Sequence, residues 1–131
     1  MATSGRWHRQ GMHVVYTAGS SALAMLEVLA NLETVVTPPS FQLLEIDAPD
    51  DLTVTDWPAG QDHRDQSLTA DWGDAFLRAG NAPLARVPSV VAPESGNFLL
   101  NPQHPDAARV RIVRAARWPW DARLFGGPPA R

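Results

Sequence analysis

The chain has no cysteine. That excludes disulfides, thiolate zinc sites and a cysteine nucleophile, and it suits a reducing cytoplasm. Lysine is absent too, since all 11 basic residues are arginine. Schiff-base catalysis and a Walker-type phosphate lysine are therefore excluded, while arginine remains well suited to bidentate contacts with phosphate. No apolar run is long enough to span a bilayer, and the first residues lack a signal-peptide pattern. A cytoplasmic protein with no membrane partner is expected. No Gly-x-Gly-x-x-Gly follows a strand, so the dinucleotide-binding fingerprint is missing. No resident dinucleotide cofactor is expected. His8, His13, His63 and His104 make no metal-ligand spacing, so no metal site is expected. No Gly-x-Ser-x-Gly elbow supports a serine hydrolase.

What is present fits one domain over residues 1–131. The 44% of hydrophobic residues is ordinary for a chain that folds around one core. The net charge of −3 argues against direct nucleic-acid binding. Acidic residues concentrate between 45 and 74. Arg109, Arg111, Arg114, Arg117 and Arg123 face one acid, Asp121, in the last part of the chain. That basic stretch reads either as a solvated strand face or as a docking surface for an acidic partner.

Met12 to Ala18 reads as a strand, rich in strand-favouring residues. Ser20 and Ser21 then offer an N-cap. Ala22, Met25, Leu26, Leu29 and Leu32 recur at helical spacing, which predicts a helix over 21–33. Strands are predicted over 41–48 and 52–56, followed by a polar loop over 57–66. A second helix carries Leu68, Trp72, Ala75 and Phe76 and stops at Gly80. A strand over 84–92 contains Pro88, which suggests an edge or a bulge. Phe98 to Leu100 is a short apolar step. Ala108 to Val113 alternates like a strand with one wet face, and the end from Trp118 reads as irregular. Strands and helices out of strict alternation indicate an α+β fold.

Glu27 stands among Leu23, Met25, Leu26, Val28 and Leu29. A carboxylate buried there needs a partner; on the helix's wet face it needs none. Residue type alone favours the wet face. Likewise an Arg-Trp pair is commonly packing, and a serine after proline is commonly just small.

Taken together, three segments resemble the RES-domain toxins of bacterial toxin–antitoxin systems. They are Gly5-Arg6-Trp7-His8 with Val14-Val15-Tyr16-Thr17-Ala18, then Ala24 to Leu29, then Arg86 to Val91 running into Asn97 to Pro105. The resemblance extends to the Trp-Asp-Arg-Leu-Phe tail and covers about Gly5 to Phe125. The family's Arg, Glu and Ser fall on Arg6, Glu27 and Ser89, with Tyr16 as the accompanying aromatic. The resemblance implies a fold related to the ADP-ribosyltransferases and diphtheria-type toxins, with NAD as substrate. It implies cleavage of the nicotinamide–ribose bond, with inorganic phosphate as co-substrate in NAD phosphorylases, and hydrolysis as the other route. It also implies a cognate Xre-type antitoxin in an oligomeric toxin–antitoxin complex. In these terms Glu27 stabilises an oxocarbenium-like ribose, Arg6 clamps phosphate, Tyr16 flanks nicotinamide and Ser89 bonds ribose or phosphate oxygens. Asn101 is a further substrate-binding candidate, and His104 a weaker one; both also suit a turn cap. Only five residues precede Arg6, whereas the resemblance implies a strand and loop ahead of it, so a shortened front end is expected. The competing function is a catalytically inactive subunit that only binds the antitoxin.

Overall fold

The computed structural model describes residues 6–9, 11–31 and 41–126. In chain order the elements are strand β1 (Val15–Ala18), helix α1 (Ser21–Ala30), β2 (Phe41–Asp47), β3 (Val54–Asp56), helix α2 (Gln66–Ala79), β4 (Leu84–Pro88), β5 (Gly96–Leu100), a 3-10 helix (Pro105–Arg109), β6 (Arg111–Trp118) and a second 3-10 helix (Ala122–Phe125). The fold is α+β.

Both helices start and stop where local chemistry directs. Ser20 caps α1, its side chain accepting the Leu23 N–H at 3.1 Å. Asp65 caps α2 by accepting from Ser67 and Leu68 N–H. Gly80 ends α2 at φ 63°, a left-handed conformation that glycine adopts without a Cβ penalty. The predicted extension of α1 to residues 32 and 33 lies outside the described residues.

Four strands form one sheet in the order β1-β5-β4-β3. β3 and β4 run parallel, and α2 supplies the crossover that a parallel pair requires. The core lies where α2 covers this sheet. Phe76 and Leu77 of α2 meet Ala85, Val87 and Leu99 from the strands, with Trp7 and Ala82 completing the cluster. Trp7, Trp57 and Trp72 meet edge to face, with ring centroids 5.1–5.9 Å apart, a favoured aromatic geometry.

The segment of residues 6–9 is stitched to one face of α2. Thr69 Oγ1 donates to the Arg6 carbonyl at 2.7 Å, and Asp74 accepts the Arg9 N–H at 2.9 Å. Between them, Gly73 lets the Trp7 backbone lie directly on the helix. Positions 69, 73 and 74 share a helical stripe, and this seam holds Arg6 in place.

Two sequence expectations need correction. Ala108–Arg109 belong to a 3-10 helix, not to a strand, and β6 begins at Arg111. Pro105 presets a helical φ at the first helical position, and His104 caps it by accepting the Asp106 N–H on Nδ1 at 3.0 Å. β6 then runs to Trp118 against β2, with a register shift at Glu45/Ile46. The strand predicted over 84–92 ends at Pro88. β4 is an interior strand of the sheet, but β3 stops opposite Arg86. Among the described residues Pro88 pairs with Gly96 on β5 alone, so proline's missing donor interrupts no ladder on the other side.

The arginines of the C-terminal stretch are largely those of a solvated face. Arg109 pairs with Asp51 at 2.7 Å, Arg114 with Glu45 at 3.9 Å, and Arg123 with Asp121 at 2.8 Å. The Arg123 guanidinium holds the Asp121 carboxyl down at about 2. Such exposed pairs contribute little to stability.

Candidate active site

α1 turns one stripe toward a cleft. Ala24, Glu27, Val28 and Asn31 line it, at the spacing of one helical face. Arg6 and Trp7, Tyr16 to Ala18 of β1, and Pro88, Val90, Val91 and Asn97 complete the walls around about 670 Å³. That volume suits a small-molecule substrate. Glu27 therefore lies on the cleft side of α1, not on a wet outer face.

The Glu27 carboxylate is held by two donors on the same oxygen. Ser89 Oγ donates to Oε1 at 2.6 Å, and Asn97 Nδ2 donates to it at 2.9 Å. A carboxylate only accepts, so the amide nitrogen of Asn97 must face it. The Asn97 Oδ1 is left buried without a partner. Ser89 is itself fixed. Its N–H donates to Ser95 O at 3.0 Å, and its Oγ accepts the Ala92 N–H at 3.1 Å. With its single proton directed at Glu27 and 1% of its surface exposed, Ser89 acts on the carboxylate instead of facing the cleft. Oε2 is the Glu27 oxygen these donors leave free.

Arg6 brings positive charge to the same cleft. Its Nη1 makes one long hydrogen bond, 3.5 Å to His63 O. No carboxylate pairs with it among the described residues. A guanidinium so placed keeps most of its donors unspent and could take an anion. Tyr16 offers its ring, and its Oη accepts the Trp7 N–H at 3.2 Å and lies 2.6 Å from His8 Nδ1. Arg6, Glu27, Ser89 and Tyr16 thus converge although they are far apart in sequence.

The RES domain family model matches residues 1–121. The chain belongs to the RES-domain family. It is 40% identical over 131 residues to Toxin Res of Pseudomonas putida, covering 95% of this chain and 88% of that one. It is 34% identical over 131 residues to the Prs ADP-ribosylating toxin of Sphingobium sp., covering 94% of this chain and 81% of that one. Toxin Res of Yersinia enterocolitica is 34% identical over 105 residues, 76% of this chain and 69% of its own length.

Asn101 stands apart from the cleft of this RES domain. It is 3% exposed, its Nδ2 donates to Leu77 O at 3.3 Å and its Oδ1 accepts the Gln103 N–H at 3.1 Å. It ties the turn after β5 to the end of α2 and is not among the residues that line the cleft. His104 serves as a cap in the same turn. Sequence reasoning passes over Asn97, whose one signal is an amide inside an otherwise apolar strand. Among the described residues no group of three His, Cys, Asp or Glu side chains is placed to hold a metal, and no helix is long and apolar enough to cross a membrane.

Burial raises the Tyr16 phenol above its ordinary value of 10.0, against the lowering effect of the Trp7 N–H. The fold therefore favours the neutral phenol. Its contribution to stability is complete below pH 10.0 and is lost as pH rises toward the raised value. Tyr16 is the sole tyrosine, so the tyrosinate absorbance of the RES domain reports this group alone. Ionisation in the folded protein is expected at higher pH than in the urea-unfolded chain. Coincident titrations would contradict a buried hydroxyl.

Proposed function

We propose that this RES domain is the toxin of a toxin–antitoxin pair, and that it depletes NAD by cleaving the nicotinamide–ribose bond. The observation that carries this reading is the Glu27 carboxylate, held on Oε1 by Ser89 and Asn97, in one cleft with the Arg6 guanidinium and the Tyr16 ring. The names of the relatives support the toxin assignment.

Nicotinamide leaves as a neutral molecule because the electron pair of the broken bond returns to its positively charged ring nitrogen. No strong acid is needed. The ribose carbon passes through an oxocarbenium-like state. Glu27, whose Oε2 remains unspent, stabilises that developing charge or orients the ribose hydroxyls. The two donors on Oε1 fix the orientation of the carboxylate. Arg6 holds the substrate's pyrophosphate or an incoming phosphate, and a phosphate oxygen lone pair closes the new bond to the ribose carbon. The products are nicotinamide and a phosphorylated ADP-ribose. A related reading is transfer of ADP-ribose to a protein, which the name of the Sphingobium relative favours. NAD consumption and neutralisation by an antitoxin made in the same cell place the work in the cytoplasm, with an Xre-type antitoxin closing the cleft.

The test is incubation of the free protein with NAD, with and without phosphate, followed by mass analysis. Nicotinamide release that phosphate accelerates is expected, and added antitoxin suppresses it. NAD left intact by the free protein sinks the reading. Nicotinamide with unphosphorylated ADP-ribose as its only co-product in phosphate buffer would make water the acceptor, and a mass increase on a protein would favour ADP-ribosylation.

A further inference from the structure

The hydroxyl of Tyr16 is spent inside the protein. Oη accepts the Trp7 N–H and lies 2.6 Å from Nδ1 of His8, a residue 7% exposed. The two rings are 5.5 Å apart between centroids and tilted by 50°. A backbone N–H can only donate, so it occupies a lone pair of Oη. Either tautomer of His8 allows the 2.6 Å contact; with the phenol's own proton directed at Nδ1, the arrangement taken for this pair, the imidazole is the acceptor and carries its hydrogen on Nε2. Arg6 and Asp74 are the charges that act on this hydroxyl. Tyr16 nevertheless remains 46% exposed and lines the cleft. With the hydroxyl turned inward, what the cleft receives is the ring.

We propose that His8 is a positioning residue: through Nδ1 it pins the Tyr16 hydroxyl into the protein, so that the cleft presents a phenol face to a flat aromatic cation. The inference rests on the NAD reading above and names the part of NAD that this wall takes. An aromatic face attracts a cation over its ring. The pyridinium of NAD carries that charge before cleavage, and neutral nicotinamide does not carry it afterwards. The same wall thus binds the substrate and releases the product.

The experiment uses the whole chain and two readouts, KM for NAD and calorimetric affinity for the N-methylnicotinamide cation, which needs no turnover. His8→Ala and Tyr16→Phe are each expected to weaken both by about tenfold, the worth of one or two neutral hydrogen bonds. The double variant is expected to lose no more than either alone, because the two residues act as one unit. Tyr16→Ala, without the ring, loses more than Tyr16→Phe. His8→Asn, whose Oδ1 takes the place of Nδ1, restores binding, whereas His8→Gln does not. Losses that multiply in the double variant overturn the proposal, and so does Tyr16→Phe falling as far as Tyr16→Ala. A direct check is nitrogen NMR of the His8 ring, where an Nδ1–H tautomer in the native protein would also overturn it. Failure of the NAD reading is told apart, because it abolishes turnover in the native protein while cation affinity and the tautomer still report on His8.

Discussion

Glu27→Gln is expected to fold normally and to lose NAD turnover by a factor on the order of 10²–10³, the usual effect of removing one well-placed electrostatic stabiliser. The amide keeps the shape of the side chain. Its oxygen can take the place of Oε1 and accept from both Ser89 and Asn97, which leaves the NH₂ toward the cleft. The network survives, and the negative charge opposite the oxocarbenium does not. Glu33, further along the chain, lies outside the described residues. Glu94, exposed in the loop between β4 and β5, serves as the control, and Glu94→Gln is expected to keep full turnover. A surface change of that kind shifts stability by about 0.5 kcal/mol or less. NAD turnover and melting temperature for both variants decide the matter. Equal turnover in the two would return Glu27 to the role of a polar helix residue. A large loss of stability in Glu27→Gln would make its hydrogen bonds, not its charge, the reason for its presence.

Gly73→Ala tests how Arg6 is held. On helix propensity alone the substitution should stabilise α2 by about 1 kcal/mol. A Cβ at this position would overlap the carbonyl of Trp7, and backbone cannot step aside as the end of a flexible side chain can. Relief requires residues 6–9 to lift from α2. That strains the Thr69 bond to Arg6 O and the Asp74 bond to Arg9 N–H, and it disturbs Trp7 in the core. Overpacking of this kind costs roughly 3 kcal/mol, so it outweighs the propensity gain. The melting temperature is expected to fall on the order of 10 °C. KM for NAD should rise in the folded fraction, because Arg6 rides on the displaced segment. A melting temperature at or above the native value would show that the close approach is absent in solution.

Much of the local structure was legible without coordinates. Ser20 and Gly80 mark helix ends by chemistry that acts within a few residues, and Asp65, which falls in the predicted polar loop, does the same for the start of α2. The spacing of the apolar residues of α2 follows from the period set by the backbone itself. The departures have local causes too. His104 and Pro105 build a 3-10 turn where an apolar alternation suggests a strand, because a cap and a preset φ outweigh a short period-2 pattern.

By itself the sequence determined both helices, the approximate places of the strands, the α+β class and, through the order of its motifs, the resemblance to RES domains. It could not determine which way Glu27 points. Helical periodicity says which residues share a stripe of α1, but not which stripe meets the sheet. That depends on Ser89 and Asn97, 62 and 70 residues further along. Tertiary structure alone decided that Ser89 serves the carboxylate, that Asn97 joins it, and that Asn101 belongs to a turn. It decided likewise that Arg6 has no carboxylate partner among the described residues, while Arg9, on the same stitched segment, is neutralised by Asp71 at 2.5 Å. Charges and amides have no intrinsic partner in sequence. Each takes the one that packing brings within about 3 Å, and packing is settled by contacts across the whole chain.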